Sequence, residues 1–271
     1  MSGDLIRVTI LGCGSSGGVP RIGGHWGRCD PANPKNRRRR CAILIDRIGP
    51  GGLTRALVDT GPDLVPQMLD ADVTTLDAVI WTHAHADHIH GIDDLRQMAY
   101  NARALVPGFA DAATQAALRE RFGYIFETPP GSYYPPICDL RDMPADLVID
   151  GAGGALRINP FTVAHGNIEA LGLKIDTARG GIIYLPDASD IPEAGWDIIA
   201  RPEIFICDAL RREPHPSHAH FAQAVEWITR SGAARGVLTN MHLDMDYAEI
   251  ARESPSHISP AHDGMVIEAG A

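Results

Sequence analysis

The segment WTHAHADHIHG concentrates the side chains of this sequence that are best suited to metal chemistry. Four of the 12 histidines and one aspartate fall within eight residues, namely His83, His85, Asp87, His88 and His90. Imidazole nitrogens and carboxylate oxygens are common ligands of divalent transition metals. Histidines packed this closely cost stability when they are buried without partners. The spacing therefore predicts a shared metal ion, with a surface loop without function as the alternative.

The local geometry of this segment favours two metal ions. His83 and His85 are two residues apart and can point the same way where a strand passes into a loop. Asp87 and His88 then occupy a turn that leads into a helix beginning near Ile92. The segment thus offers two pairs of ligands that face adjacent points, as a dinuclear site requires. Imidazole and carboxylate suit zinc, manganese or iron, and the absence of thiolate disfavours a closed structural zinc site.

Polar side chains also follow predicted strands elsewhere in the chain. Five of them come at or just beyond the carboxyl end of an apolar strand: Asp59, His83, His165, Asp187 and His242. Strand ends that lie side by side in a sheet can bring such residues to one rim. A core histidine has no reason to prefer strand ends repeatedly. We therefore predict that these residues form one site.

Short apolar segments rich in Val and Ile predict the strands that must position these residues. They cover residues 6–12, 41–46, 56–61, 77–83, 156–165, 171–177, 181–188, 204–209 and 236–242. Helical periodicity is clearest at 111–126 and 218–232, and Ser217 is the predicted N-cap of the second helix. No low-complexity linker divides the sequence, so we expect one domain over residues 1–271.

The composition is that of a globular protein and predicts a cytoplasmic location. Of the 271 residues, 45% are hydrophobic and 21% are charged, and no apolar run reaches the roughly 20 residues that span a bilayer. The N-terminus lacks a signal-peptide pattern, and the five scattered cysteines without a CxxC pair favour a reducing compartment. The net charge of −10 makes nucleic acid an unlikely partner, and no membrane partner is expected.

One basic run, Lys35–Arg40 (KNRRRR), stands out against this acidic background. The first interpretation is a solvated loop. The alternative is a phosphate contact by one of its arginines, with Arg39 as the candidate. Because the net charge is negative, a local positive field such as that of metal ions must hold any anionic substrate.

The H-x-H-x-D-H pattern followed by Gly91 resembles the signature of the metallo-β-lactamase superfamily. Asp59, in VDTG, matches an aspartate that contacts the ligands without binding metal. His165 matches the third histidine, Asp187 the bridging aspartate, and His242 the last histidine. The resemblance covers essentially the whole chain. It implies an α+β fold, a four-layer αβ/βα sandwich of two facing mixed β-sheets with helices outside.

The same resemblance implies a ligand set for two divalent ions, Zn²⁺ or Mn²⁺. It assigns His83, His85 and His165 to the first ion, Asp87, His88 and His242 to the second, and Asp187 to both. His90 is extra to the pattern and is expected to be a neighbour. Relatives often have a histidine directly after the last strand, in LTH, whereas this sequence has LTNMH with Asn240 there. His242 is the nearest candidate for the last ligand.

The position of His85 bears on the reaction. Diiron oxygen reductases of the superfamily have a glutamate there, so histidine implies hydrolysis. A pair of ions lowers the pKa of a shared water and polarises an ester or phosphoryl oxygen. The glycines of TILGCGSSGG form a GxGxxG pattern, but no helix follows, so a dinucleotide site is rejected.

The opening strand, its Gly/Ser-rich loop with VP and the segment NPKNRRRRCAILI resemble one subfamily. These are phosphodiesterases related to the phosphoribosyl cyclic phosphodiesterase of the carbon–phosphorus lyase pathway. Those relatives carry several cysteines that form a structural zinc knuckle. Only Cys29 and Cys41 remain here, with His25 nearby, so we expect that third ion to be absent.

His218, in EPHPSHAHF, resembles an additional active-site histidine of this subfamily. The implied role is general acid to the leaving oxygen or stabiliser of phosphoryl charge, and a surface position at a helix start is the alternative. His215 and His220 are the fallback candidates, and we include His220 among the predicted substrate contacts.

Together these patterns predict a phosphodiesterase that acts on a small nucleotide-like or cyclic ribose phosphate through a metal-bound hydroxide. Asp87 and His218 are the predicted catalytic residues. One alternative is a hydrolase of a carboxylic ester, lactone or thioester that uses the same metals. Another is a non-catalytic metal- or cofactor-handling protein. Transfer RNA processing is disfavoured because no long basic arm is inserted, and the subfamily resemblance makes a homodimer plausible.

Overall fold

Two seven-stranded sheets form the centre of the structure, a computed structural model that describes residues 4–271. The strands are β1 (Leu5–Gly12), β2 (Ala42–Gly49), β3 (Gly52–Val58), β4 (Ala78–Ile80), β5 (Val106–Ala110), β6 (Cys138–Asp142), β7 (Leu147–Ile149), β8 (Leu156–His165), β9 (Ile168–Ile175), β10 (Ile182–Leu185), β11 (Ile204–Asp208), β12 (Arg235–Thr239), β13 (Ile258–Pro260) and β14 (Val266–Gly270). The first sheet has the order β14-β1-β2-β3-β4-β5-β6, and the second has the order β13-β12-β11-β10-β9-β8-β7.

Helices connect and flank these strands. Within the described residues they are α1 (Leu64–Asp70), α2 (Ala86–Ile89), α3 (Leu95–Ala102), α4 (Ala112–Phe122), α5 (Glu193–Ile199), α6 (Phe221–Ser231) and α7 (Tyr247–Glu253). Short 3-10 turns lie at Pro34–Asn36, Ile92–Asp94 and Gly123–Ile125. None of the helices in this part of the chain has the length and apolarity to cross a bilayer.

The core follows from strands that are apolar on both faces. In β2, Ile43 and Ile45 pack into the layer between the two sheets, whereas Leu44 points to the opposite face and packs with α1 and α3. On the second sheet, α6 contributes Ala224 and Ile228 to the core. Strands buried on both faces need apolar residues at consecutive positions, which explains the continuous Val/Ile runs of the sequence. The predicted α+β sandwich is confirmed.

The direction of the strands explains how distant residues meet. β3, β4 and β5 are parallel, so their carboxyl ends lie at one edge of the first sheet. β10, β11 and β12 are parallel, and β8 runs the same way because β9 is antiparallel to both β8 and β10. The polar residues that end these strands therefore gather along one edge of the sandwich.

Some local predictions differ from the structure. Helix α6 begins at Phe221, after His220 and without a side-chain cap, so the predicted N-cap at Ser217 is wrong. The predicted helix near Ile92 starts as a 3-10 turn and becomes α3 at Leu95. The solvated-loop interpretation of the basic run fails for Arg38, which is buried.

Candidate metal centre

Three imidazoles and one carboxylate converge at the sandwich edge. His83 follows β4, His165 ends β8 and Asp187 follows β10, while His85 lies just before α2. One donor atom from each of these four residues lies within 4.8 Å of the other three. The Nδ1 atom of His85 is 3.1 Å from Nε2 of His83 and 3.0 Å from Nε2 of His165. The structure thus brings together four of the seven predicted ligands around one point.

Hydrogen bonds behind the rings direct the nitrogen lone pairs to this point. The backbone carbonyl oxygen of Ser217 lies 2.6 Å from Nδ1 of His165. A carbonyl oxygen can only accept a hydrogen bond, so Nδ1 carries the proton. The Thr82 hydroxyl donates to Asp59, so it accepts from Nδ1 of His83, at 3.1 Å. Both Nε2 atoms therefore carry a free lone pair. Burial lowers the pKa of His83 and of His165, which keeps these imidazoles neutral and able to bind a cation.

A second set of donors surrounds His88. Its Nδ1 atom donates to Asp59 at 2.7 Å, so Nε2 is the nitrogen that could bind a metal ion. That Nε2 atom is buried without a hydrogen-bond partner and lies 3.5 Å from oxygens of Asp87 and of Asp187. A metal ion between this nitrogen and the two carboxylates would give the buried Nε2 atom the partner that it lacks. These residues fit a second divalent ion beside the first, with Asp187 facing both.

Two glycines hold the loop after β3 against α2. The amide of Gly91 donates to Thr60, and the amide of Thr60 donates to His88, each at 2.7 Å. A Cβ atom on Gly91 would lie 2.1 Å from the carbonyl oxygen of Gly61, and a Cβ atom on Gly61 would lie 2.2 Å from that of Asp87. This close approach brings Asp59 to His88.

The charge state of Asp187 depends on the histidines around it. Burial alone would raise the pKa of Asp187, but the neighbouring imidazoles, His88 first, outweigh it and lower the pKa well below its usual value. Asp187 is therefore an anion, the form that binds a divalent ion. Burial lowers the pKa of His88, but the carboxylates of Asp187 and Asp59 outweigh it and raise the pKa well above its usual value, so that a metal ion at Nε2 would replace a proton there.

His218 borders this centre with a partner that the sequence did not reveal. Its Nδ1 atom lies 3.0 Å from Asp208, which ends β11. Burial lowers the pKa of His218, but the hydrogen bond and charge of Asp208 and the charge of Asp187 outweigh it and raise the pKa to about 9. Burial raises the pKa of Asp208 to about 6. At neutral pH the two therefore form an ion pair with a protonated imidazole.

This edge of the sandwich opens into a cavity of about 540 Å³, to which His85, Asp87, Asp187 and His218 contribute. Two arginines line its wall, Arg21 and Arg211. Arg211 donates to the carbonyl groups of Glu213 and Pro214, and among residues 4–271 neither arginine pairs with a carboxylate. Both cations are therefore available to a bound anion, although the chain as a whole is acidic.

His242, the predicted last ligand, also lines this cavity, but its ring nitrogens have other partners. Nδ1 is 2.9 Å from Asp244, and Nε2 is 2.6 Å from the guanidinium of Arg21. Asn240 lies deeper, where its amide nitrogen is 3.1 Å from both Asp187 and Asp208. The role of His242 as a ligand stays a prediction.

The remaining candidates lie outside the donor cluster. The His90 ring packs edge-on against Phe122, as a neighbour of the site. His220 bonds Gln223 in the first turn of α6. Arg39 pairs with Asp70 at 2.7 Å and lines a different cavity, on the outer face of the first sheet. Substrate contacts by His220 and Arg39 stay predictions.

The region that matches the zinc knuckle of the relatives is organised by a buried arginine. Cys29 lies 3.7 Å from Arg38, and Cys41 packs against Thr239. The Arg38 guanidinium donates to the carbonyl groups of His242 and Met245. This side chain ties the loop after β1 to the segment after β12.

Asp208, Asn240 and Arg21 are site residues that the sequence analysis did not assign to the centre. A signal existed for the first two, since IFICD and GVLTN end in a polar residue as the other contributing strands do. The sequence contained no such signal for Arg21, because this residue reaches the cavity from an irregular loop.

Comparisons with known proteins agree with this geometry. The model of the beta-lactamase superfamily domain matches residues 54–241. An octanoyltransferase of Porphyromonas gingivalis is 32% identical over 267 residues, which cover 96% of this chain and 51% of the relative, so the chain spans about half of that protein. A ribonuclease Z of Mycolicibacterium paratuberculosis is 27% identical over 215 residues, with 72% of this chain and 67% of the relative covered. The crystal structure of a diphosphatase from the PhnP family matches with a TM-score of 0.83 and 30% identity, covering 97% of each chain.

Proposed function

This chain belongs to the beta-lactamase superfamily, and we propose that it is a metal-dependent hydrolase of small phosphodiesters. The substrate class is a nucleotide-like molecule or a cyclic ribose phosphate. The observation that carries the proposal is the position of the protonated His218 beside the cluster of His83, His85, His165 and Asp187. That arrangement combines a place for cations with a nearby proton donor, the two requirements for displacing an alkoxide from phosphorus.

Two divalent ions, Zn²⁺ or Mn²⁺, are the proposed cofactors. His83, His85 and His165 would hold one, Asp87 and His88 would hold the other, and Asp187 would face both. Such ions activate water as a nucleophile and neutralise charge on the phosphoryl oxygens.

His218 is the proposed general acid. Its Nδ1 atom is engaged by Asp208 at 3.0 Å, so Nε2 is the nitrogen that can donate a proton to the leaving oxygen. Asp208 holds the ring orientation and stabilises its charged form, and the amide of Ala188 donates to the same carboxylate oxygen at 3.1 Å. The imidazolium is thus maintained at neutral pH, where a free histidine is mostly unprotonated.

The cavity supports a phosphate-bearing substrate. Its volume of about 540 Å³ falls within the range of about 300–1,000 Å³ that is usual for small-molecule sites. Arg21 and Arg211 offer guanidinium groups, which match phosphate geometry well. The similarity to proteins named diphosphatase and ribonuclease Z is in line with chemistry at phosphorus.

The leaving group provides the sharpest test. The metal-loaded protein and its His218→Ala variant are compared on bis-p-nitrophenyl phosphate, whose leaving group needs little protonation, and on a nucleoside 2′,3′-cyclic phosphate, whose alkoxide needs it. We expect kcat on the cyclic substrate to fall by about 10²- to 10⁴-fold, and kcat on the nitrophenyl ester to fall much less. His257→Ala, an exposed histidine near β13, is the matched control. Equal losses on both substrates at full metal content would refute the acid role.

Acyl transfer to water is the second candidate function. It is favoured by one observation, the 32% identity to a relative named octanoyltransferase, of which this chain covers about half. The same metals can polarise a carbonyl oxygen. Octanoyl thioesters, lactones and a short RNA therefore belong in the substrate panel. Turnover of a thioester without any phosphodiesterase activity would replace the first proposal, and no turnover at full metal loading would favour a metal-handling protein without catalysis.

A further inference from the structure

The two ion positions differ in the number of donors that the chain supplies. At the first, Nε2 of His83, Nδ1 of His85, Nε2 of His165 and a carboxylate oxygen of Asp187 converge within 4.8 Å. At the second, Nε2 of His88 faces one oxygen of Asp87 and one of Asp187, each at 3.5 Å. Asn240 and His242, in the segment after β12, line the same cavity and are the candidates for a fourth donor at the second position.

Asn240, the first residue of that segment, turns its nitrogen toward the centre. Its Nδ2 atom lies 3.1 Å from an oxygen of Asp187 and 3.1 Å from an oxygen of Asp208. Carboxylates only accept hydrogen bonds, so two of them fix the amide with its NH₂ group toward them. With the amide oxygen directed elsewhere, Asn240 donates to the bridging carboxylate and does not act as a ligand.

His242, two residues further on, has no lone pair left for a metal ion. A guanidinium can only donate, so Nε2 of His242 accepts from Arg21 at 2.6 Å. The ring proton then lies on Nδ1, which donates to Asp244 at 2.9 Å. Ligation by Nε2 would require Arg21 to leave, and ligation by Nδ1 would require the loss of Asp244.

From these contacts we propose that the centre is unequal, with four protein donors for the first ion and only Asp87, His88 and Asp187 for the second. The second ion would bind more weakly than the first, because fewer side chains would hold it. Asn240 is a positioning residue that orients Asp187. The proposal concerns the metal centre alone, so it can fail without failure of the proposed activity.

Stepwise loading tests this proposal directly. Metal-free protein is titrated with Mn²⁺ by calorimetry, and free Mn²⁺ is followed in parallel by electron paramagnetic resonance. Changes in residues behind the ligands alone alter metal affinity by about 10- to 100-fold, so a missing ligand should separate the two dissociation constants by at least about 10-fold. Uptake of two ions in one step of equal affinity would overturn the proposal.

Variants identify the residues responsible. His242→Ala should leave both dissociation constants unchanged, and a loss of the second ion in this variant would also overturn the proposal. Asn240→His should tighten the second step by about 10-fold or more, because it supplies the missing imidazole. Asn240 has φ of +58°, a region in which histidine is also enriched among non-glycine residues. The wild-type titration and His242→Ala decide the question even if Asn240→His fails to fold.

Discussion

Replacing Asp59 with asparagine should weaken the second metal ion and leave the first in place. Asp59 is fully buried and accepts hydrogen bonds from Nδ1 of His88 at 2.7 Å and from the amide of Thr82 at 2.8 Å. The carboxylate requires a proton on Nδ1 of His88, so Nε2, which faces Asp87 and Asp187, is the nitrogen left for a metal ion. An asparagine can present its NH₂ group to the ring, and His88 would then carry its proton on Nε2.

The expected loss of metal affinity follows from the role of Asp59 as the carboxylate that orients His88. Loss of a carboxylate that orients a ligating histidine costs about 10- to 100-fold in metal affinity. This corresponds to about 1.4 to 2.7 kcal/mol. In Asp59→Asn the amide oxygen can take the place of the carboxylate oxygen that accepts from the amide and the hydroxyl of Thr82, so Thr82 still accepts from His83. Ser217 continues to orient His165, and the first ion should therefore retain its affinity. The fold should tolerate the change, since Asp59 has φ of +66° and asparagine adopts that region readily.

The assay is the Mn²⁺ titration of metal-free protein, read as two dissociation constants. Asp111→Asn is the matched control, because Asp111 caps α4 through the amide of Thr114 and asparagine caps helices equally well. An unchanged second constant in Asp59→Asn would show that the carboxylate does not set the tautomer of His88. A loss of both ions would show that the two positions are not independent.

Three predictions concern stability. Burial raises the pKa of Asp263 to about 6, so its ionised form disfavours the folded state as pH rises through that value. The free energy of unfolding of Asp263→Asn, relative to that of the wild type, should therefore rise by about 2 kcal/mol between pH 4 and pH 7. This is less than the full pKa shift would give, because the side chain is partly exposed. Urea titrations at both pH values measure this difference, and a constant difference would contradict the prediction. Gly91→Ala should lower the thermal midpoint, because its Cβ atom would lie 2.1 Å from the carbonyl of Gly61, whereas Gly123→Ala meets no atom within 4 Å and should not; equal midpoints in calorimetry would refute the steric argument. Phe205→Ala removes a fully buried ring from β11 and should cost about 3–5 kcal/mol in a denaturant titration, and a cost below about 1 kcal/mol would mean that the core collapses around it.

Local pattern in the sequence was sufficient for nine of the strands and for most of the donor cluster, whereas β5, β6, β7, β13 and β14 were not predicted. β8 was predicted at its observed bounds, because apolar residues largely alternate along its ten positions. That period is typical of a strand and not of a helix. His83, His85, Asp87 and His88 are close in sequence, so a single turn already places them together. His165 and Asp187 required only the rule that parallel strand ends share an edge. Family resemblance added their pairing with the histidine segment and the sandwich fold, which is confirmed.

Tertiary structure alone decided which polar groups face which. Arg38 belongs to a run of charges that a sequence pattern treats as solvated, yet it is buried because its acceptors are carbonyl groups about 200 positions later. Asp208 becomes the partner of His218, and Arg21 takes the lone pair of His242 from 221 positions away. Hydropathy and spacing describe a residue and its near neighbours, whereas a hydrogen bond or an ion pair is defined by a partner that only the folded chain supplies. The edge of the sandwich was therefore predictable from the sequence, and the distribution of protons and lone pairs along it was not.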